Sequence, residues 1–130
     1  NHLQADRLLY EIFKEQLRSY KLIIRGVIGM IENTIKEVEL FEQMKHGEPV
    51  LFVTSIGYII GITDIPDEIP HSVVKLKDVY INCVSASRVN RFSKGLTISV
   101  DQIIGFNALT AEEMDRMITN WQVSMAPTIG

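Results

Sequence analysis

The residues best suited to chemistry form a basic segment with one aromatic ring, between positions 75 and 94. Lys75 and Lys77 begin it on a predicted strand, and Asp78 is the acidic residue set against them. The candidate nucleic-acid-binding residues are Arg88, Asn90, Arg91, Phe92 and Lys94. Cations can hold a phosphate while an aromatic ring stacks on a base. The segment therefore predicts a surface for single-stranded nucleic acid, or else a solvated strand rim with Phe92 packed in the core.

Residue patterns typical of catalysis or metal binding are scarce. His2, His46 and His71 lack metal-ligand spacing, and Cys83 has no obvious activating partner. The acidic segment Asp64–Pro70 carries oxygen ligands for a hard cation, but its spacing is not that of a calcium loop and favours a solvated loop. We expect no catalytic residue, no metal ion and no cofactor, and hence no enzyme.

Composition predicts one globular domain over residues 1–130. The chain is 46% hydrophobic and 22% charged, with a net charge of −3, which argues against bulk electrostatic binding to nucleic acid. Its single cysteine fits a reducing compartment, so we expect a cytoplasmic protein. The longest apolar run, Tyr20–Ile31, contains Lys21 and Arg25 and falls short of the roughly 20 residues that span a bilayer. We therefore expect no membrane partner.

The chain opens with a helical extension, predicted over residues 1–46. Apolar residues recur there at steps of three and four, which is the period of an amphipathic helix. Gly26 and Gly29 weaken its middle, so the pattern fits two helices or one long helix bent near Arg25–Gly29. Because a small sheet cannot cover so much apolar surface, the excess predicts helix–helix contact between subunits.

Strand patterns occupy residues 48–107. The predicted strands are Pro49–Ser55, Tyr58–Thr63, His71–Val84, a weaker Ser85–Phe92, and Leu96–Phe106. Gly61 lies inside the second strand, where a glycine marks a sharp bend or a close backbone approach. Such short, closely spaced strands must pair antiparallel, so the order predicts a small, curved barrel.

A C-terminal helix is predicted over residues 110–124. Thr110 and Glu113 have the spacing of a capping box, which begins a helix. Its apolar stripe consists of Met114, Met117, Ile118 and Trp121. The stripe covers one end of the sheet or docks a partner.

The strand segment resembles the Sm-like fold of the RNA-binding Sm and LSm proteins and the bacterial host-factor RNA chaperone. The residues that carry the likeness are the hairpin Val50–Ile62 with Gly57 and Gly61, then Val73–Lys77 and Leu96–Ile104. The run Thr54–Gly61 also looks like shorter Sm-like proteins of phage type. The resemblance implies a mainly β fold: a strongly bent, five-stranded antiparallel barrel, here with the two helical additions. It also implies a homo-oligomeric ring that binds single-stranded RNA.

Two departures from the family concern the loops that hold RNA. Its Asp-x-x-Met-Asn signature is replaced by Glu68–Ser72, and its Arg-Gly pair by Ser93–Gly95. Transfer by position then gives His71 and Ser72 in one loop, and Lys94 and Gly95 in the other. Besides an RNA-binding ring, the sequence therefore leaves open a structural or assembly ring, possibly of phage type, without a nucleic-acid ligand. A small enzyme or ligand-binding regulator is the third alternative, for which no convergent set of residues is evident.

Overall fold

The computed structural model describes residues 2–85 and 88–124, in two compact units that span residues 1–35 and 36–130. The first unit is helical, and the second contains the end of the same helix, a sheet and a second helix. In chain order the elements are α1 (His2–Gln43), β1 (Pro49–Thr54), β2 (Gly57–Thr63), β3 (Val73–Cys83), β4 (Asn90–Phe92), β5 (Leu96–Ser99), a 3₁₀ turn (Val100–Gln102), β6 (Gly105–Ala108) and α2 (Ala111–Ser124).

The N-terminal extension is one continuous helix of 42 residues. It runs through Gly26 and Gly29, which together cost about 2 kcal/mol against alanine and are tolerated among many good helix formers. Among the described residues, helix accounts for 49% and strand for 29%, so the expected mainly β class underestimates the helix. In the described part of the chain, no helical stretch is long and apolar enough to span a bilayer.

The sheet is antiparallel and has six strands in the order β4-β3-β2-β1-β6, with β5 also paired to β3. Strands β4 and β5 follow one another along β3 and form one edge, while β6 forms the other. The sheet is not closed, so the barrel expected from the sequence is not shown. Of the predicted fourth strand only Asn90–Phe92 is present as β4, and Ala86 and Ser87 lie outside the described residues.

The prediction of one strand over Leu96–Phe106 is wrong. A 3₁₀ turn at Val100–Gln102 separates β5 from β6. The apolar alternation continues through this turn because Val100 and Ile103, which belong to no strand, are both buried in the core. The turn lets the chain leave β3 and reach β1, where β6 adds the last strand.

A bend crosses the sheet at Leu76, which is fully buried in the middle of β3. On one side, a Cβ built on Gly61 would lie 3.0 Å from the Cβ of Leu76. On the other, a Cβ built on Gly95, whose φ is +95°, would lie 2.3 Å from the carbonyl oxygen of Leu76. The neighbouring Asp78 also has a positive φ, 48°, and the β2–β3 register shifts between Ile60 and Ile62. These irregularities lie side by side in β2, β3 and the β4–β5 turn. A glycine inside a strand predicts such a close backbone approach.

The sheet buries both of its faces. The core face carries Phe52, Val74 and Val79, and the end of α1 packs there with Leu40 and Phe41. The opposite face, called the helix face below, is covered by α2: Met114 and Ile118 pack with Ile60, and Leu51, Ile62 and Tyr80 lie at the rim of this cluster. The predicted stripe of α2 therefore covers the sheet.

The capping box at the start of α2 is present. The backbone N–H of Glu113 donates to Thr110 Oγ1 at 3.1 Å, and the N–H of Thr110 donates to Glu113 Oε1 at 3.1 Å. Two helix-terminal donors are thereby satisfied. Trp121, two turns further on, packs its ring at a tilt against Tyr58, with 6.4 Å between the ring centres.

We expect Gly61→Val to lower the free energy of unfolding by about 1–3 kcal/mol, because its side chain would overlap Leu76 in a closed core. Gly29→Ala is the control: its Cβ would meet open space, and it should raise stability by up to about 1 kcal/mol. Urea unfolding followed by circular dichroism measures both. Equal stability of Gly61→Val and the wild type would show that the close approach at Leu76 does not limit the fold.

Candidate functional site

The aromatic and basic residues of β4 point to opposite faces of the sheet. Arg91 pairs in register with Tyr80, whereas Asn90 pairs with Ile81 and Phe92 pairs with Val79. Since Val79 belongs to the core and Tyr80 to the helix face, successive β4 side chains alternate between the two. Asn90 and Phe92 therefore share the core side, and Arg91 projects to the other.

The guanidinium group of Arg91 is already engaged. It lies 3.6 Å from the carboxylate of Asp78, and its Cζ lies 5.3 Å from the ring centre of Tyr80. Both charged side chains are about half exposed, so the pair contributes little stability, and the cation–π contact adds on the order of 0.5–1 kcal/mol. These contacts orient Arg91 along the sheet surface.

Lys75 and Lys77 both lie close to Asp64, whereas the sequence had suggested Asp78 as their acidic neighbour. Their Nζ atoms lie 3.6 Å from the two carboxylate oxygens of Asp64, which is largely buried. Asp64 follows β2, and its backbone N–H donates to the carbonyl oxygen of Lys75 at 2.8 Å. The strand pairing therefore partly neutralises these two lysines.

Arg88 and Lys94 are exposed, like the other cations of the group. Neither forms an ion pair with another residue in the part of the chain that the structure describes. Lys94 lies in the turn between β4 and β5, which is closed by the hydrogen bond from the N–H of Gly95 to the carbonyl oxygen of Phe92 at 3.1 Å. Lys94 is thus next to Phe92 at the sheet edge.

The two loops expected to share a ligand lie at different levels of β3. The carbonyl oxygen of Ser72 accepts the N–H of Val100 at 2.9 Å, so the His71–Ser72 loop adjoins the 3₁₀ turn. Gly95 instead lies beside Leu76, four residues further along β3, which is about 13 Å of extended strand. The structure brings Ser72 together with the 3₁₀ turn, and Lys94 together with Phe92, as two separate groups.

His71 makes two contacts within its own unit. Its Nε2 lies 3.1 Å from Asp67 Oδ2, and its ring meets the buried Phe41 edge-on, with 6.1 Å between ring centres. The hydrogen bond with His71 holds the pKa of the Asp67 carboxyl below its ordinary value of 3.8. These contacts tie the Asp64–Pro70 loop to the end of α1.

Sequence reasoning missed Thr63, the buried polar residue that fastens the link between α1 and β1. Its Oγ1 donates a short hydrogen bond to the carbonyl oxygen of Lys45 and accepts the N–H of Glu48 at 3.1 Å. Close by, Nδ1 of His46 accepts the N–H of Ile65 at 3.0 Å. A threonine at the end of an apolar strand is too common to signal this role, because its partners are some 15 to 18 residues away.

The remaining reactive side chains pack against the core or form hydrogen bonds within the fold. Cys83 is a free thiol that packs, half buried, against the core. The carboxylate of Glu68 accepts the N–H of His46 at 3.2 Å, so the three acidic residues of the Asp64–Pro70 loop face three different partners. The described residues contain no group of three or more His, Cys, Asp or Glu side chains able to hold a metal ion.

Comparison with known proteins adds no relative. No protein-family model matches the chain, and no curated protein matches it. The likeness to Sm-like proteins therefore rests on the hairpin Val50–Ile62 and the strand motifs quoted above.

The lowered pKa of Asp67 leads to a pH prediction. Its folded pKa lies below the unfolded value, so the contact with His71 stabilises the fold above pH 3.8 and is lost as the pH falls through the lowered pKa. We expect the carboxyl carbon of Asp67 to titrate below 3.8 by NMR, and His71→Ala to move the midpoint up towards 3.8. Ser72→Ala should leave it unchanged. A midpoint at the ordinary value in the wild type would contradict the contact.

Proposed function

We propose that the protein is a homo-oligomeric, Sm-like assembly ring, in which the two edges of the sheet join neighbouring copies and complete the β structure that one chain leaves open. The observation that carries this proposal is the composition of the two edges. Strands β5, Leu-Thr-Ile-Ser, and β6, Gly-Phe-Asn-Ala, contain neither a charged residue nor a proline. Proteins that keep an edge strand free in solution usually protect it with such residues. The charge on β4, which shares an edge with β5, is that of Arg91, which is paired with Asp78.

The outer side of β6 offers backbone hydrogen bonds to a partner. The N–H of Leu109 donates to the carbonyl oxygen of Pro49 at 3.0 Å, and Ala108 is the next residue in register, opposite Val50. Because hydrogen bonds alternate along an antiparallel strand, the N–H groups of Phe106 and Ala108 point away from β1. A strand of another chain can accept both.

Apolar side chains accompany both edges. Ile104, just before β6, is 71% exposed, and Phe92 in β4 is 41% exposed. Ile104 also lines an open groove of about 140 Å³ between β6 and the last two turns of α1. Joining one edge to the other would remove this surface from water, and because the two edges differ, the contact is head-to-tail and generates a ring when the rotation closes.

An assembly role agrees with how the reactive residues are used. His46 and His71 form hydrogen bonds with the loop after β2, and Cys83 packs against the core. We accordingly assign no catalytic activity and no cofactor. The free thiol of Cys83 suits a reducing compartment, and we assign the ring to the cytoplasm.

We expect Ala108→Pro to break the assembly without unfolding the chain. Proline removes an outward N–H of an edge strand, where no hydrogen bond within the chain is lost. Light scattering behind a sizing column should show a multimer for the wild type and for the control Ala108→Ser, and a smaller species for Ala108→Pro with an unchanged circular dichroism spectrum. An unchanged mass for Ala108→Pro would contradict edge pairing.

Binding of single-stranded RNA is the second candidate function. It is favoured by two exposed residues of one sheet edge, Phe92 and Lys94, the latter without an ion-pair partner among the described residues. A base stacked on such a ring gains about 1–3 kcal/mol, and a phosphate contact makes binding weaken with salt.

The test is fluorescence anisotropy with a labelled single-stranded RNA of mixed sequence. Phe92→Ala should weaken binding by about 5- to 150-fold, and Lys94→Gln should reduce the slope of affinity against salt by about one unit. Lys36→Gln, the same change on α1, is the matched control and should alter neither. Binding that is absent, or that is insensitive to both variants, would leave the assembly function alone.

A further inference from the structure

Helix α1 presents a row of exposed apolar side chains that is too regular to be incidental. Written as heptads with Tyr10 at the first position, a, its a positions are Tyr10, Leu17, Ile24, Ile31 and Val38, and its d positions are Phe13, Tyr20, Val27 and Thr34. Eight of these nine residues are apolar, and each of the eight is at least 37% exposed. We call this row the seam.

The period of the seam identifies the kind of partner. Apolar residues at alternating steps of three and four follow a 3.5-residue repeat, the repeat by which two helices keep facing each other along their length. A flat surface or a small ligand would not require it. The seam continues over four heptads from Tyr10 to Val38, so the surface that covers it is another long helix with a similar repeat.

The area of the seam is sufficient for a stable pair. Large apolar side chains bury roughly 100 Å² each, and the seam is flanked by four more that are about half or more exposed: Ile23, Ile28, Met30 and Ile35. Together these side chains give on the order of 1,000 Å² on each helix, whereas specific interfaces need about 800 Å² per partner. A second copy of this chain offers the same seam at the same concentration.

The charges along α1 set the orientation of the pair. Between Asp6 and Arg25 the helix carries five basic and three acidic residues, and between Glu32 and Glu42 it carries one basic and four acidic residues. The charged residues that flank the seam are fully separated by sign: Arg7, Lys14 and Lys21 towards one end, Glu37 and Glu42 towards the other.

A parallel pair in register would set like charges side by side, whereas an antiparallel pair sets the basic half against the acidic half. The helix dipole favours the same choice. Glu42 lies in the last turn of α1 and Glu39 just before it, where negative charge is unfavourable, and the last turn contains no basic residue. In an antiparallel pair, the positive N-terminal end of the neighbouring helix and its basic residues lie beside these glutamates and offset their charge.

We propose that two copies of this protein pair through the seams of their α1 helices, antiparallel and related by a two-fold axis. The contact is distinct from the edge pairing of the sheet and does not depend on it. It is isologous and closes at two copies, whereas joining β4 and β5 to β6 is head-to-tail. Where both contacts form, the helices link copies that belong to different rings or to different places in one assembly.

The first experiment is sedimentation equilibrium of seam variants in the Ala108→Pro chain, in which edge pairing does not contribute. We expect that chain to form a dimer at about 100 µM protein, because this concentration is far above a micromolar dissociation constant. Ile24→Glu places a charge in the seam and should give a monomer of 14.8 kDa. Leu22→Glu is the matched control, because Leu22 is 61% exposed on the same turn but lies opposite the seam, and it should remain a dimer.

Two results would overturn the seam pairing: a monomer of the Ala108→Pro chain itself, or equal dissociation by Leu22→Glu and Ile24→Glu. If Ala108→Pro leaves the mass of the assembly unchanged, edge pairing fails, while Ile24→Glu still reports on the seam. The two proposals therefore fail separately.

The second experiment measures orientation with spin labels in a Cys83→Ser chain. Leu8→Cys and Leu22→Cys both place the label away from the seam, at positions 63% and 61% exposed in the wild type. An antiparallel pair centred on Ile24 predicts labels about 50 Å apart at position 8 and within about 20 Å at position 22, given a rise of about 1.5 Å per residue. Distances within about 20 Å at both positions would establish a parallel pair and contradict the proposed orientation.

Discussion

The contact between Leu76 and the two glycines on either side of it is the constraint on which the sheet depends. Leu76 is fully buried, and β2 and the β4–β5 turn come so near to it that neither Gly61 nor Gly95 has room for a side chain. The close approach bends β3 at Asp78 and divides its outer partner into β4 and β5. The core face of the sheet is thereby curved around its own apolar side chains, so a small open sheet can bury a core.

The same bend determines which surfaces remain for other molecules. It leaves β4 with β5 at one edge and β6 at the other, and α2 covers the helix face. Around the start of the sheet, Thr63 and His46 fasten the link between α1 and β1, so the end of α1 is held on the core. Among the described residues, the two edges and the seam of α1 remain open, and we propose that both bind protein.

Local signals in the sequence were reliable where local chemistry decides the structure. The capping box of Thr110 and Glu113, and the close backbone approach at Gly61, follow from the properties of single residues and their near neighbours. The prediction of one strand over Leu96–Phe106 was wrong because Val100 and Ile103 are buried although they lie in and just after a 3₁₀ turn. Buried apolar residues at these positions resemble the alternating pattern of a strand.

The candidate site was harder to predict because its geometry depends on distant pairing. That Asp64 faces Lys75 and Lys77, and that Arg91 and Phe92 lie on opposite faces, follows from register, which residue types do not reveal. The basic and aromatic residues selected from the sequence are exposed in the structure, but their division into separate groups needed the sheet. The resemblance to Sm-like proteins did not help to predict the site, because the loops Glu68–Ser72 and Ser93–Gly95 lack the motif residues of that family.

Hydrogen exchange of individual amides distinguishes paired from unpaired sheet edges, and it therefore tests assembly through these edges. The N–H of Leu109 is bonded within the chain, to Pro49, and serves as the internal standard. In the assembled protein, edge pairing predicts slow exchange at Phe106 and Ala108, comparable with that at Leu109. On dilution, exchange at Phe106 and Ala108 becomes fast while Leu109 stays protected. Fast exchange at Phe106 and Ala108 at every concentration, with Leu109 protected throughout, would contradict it.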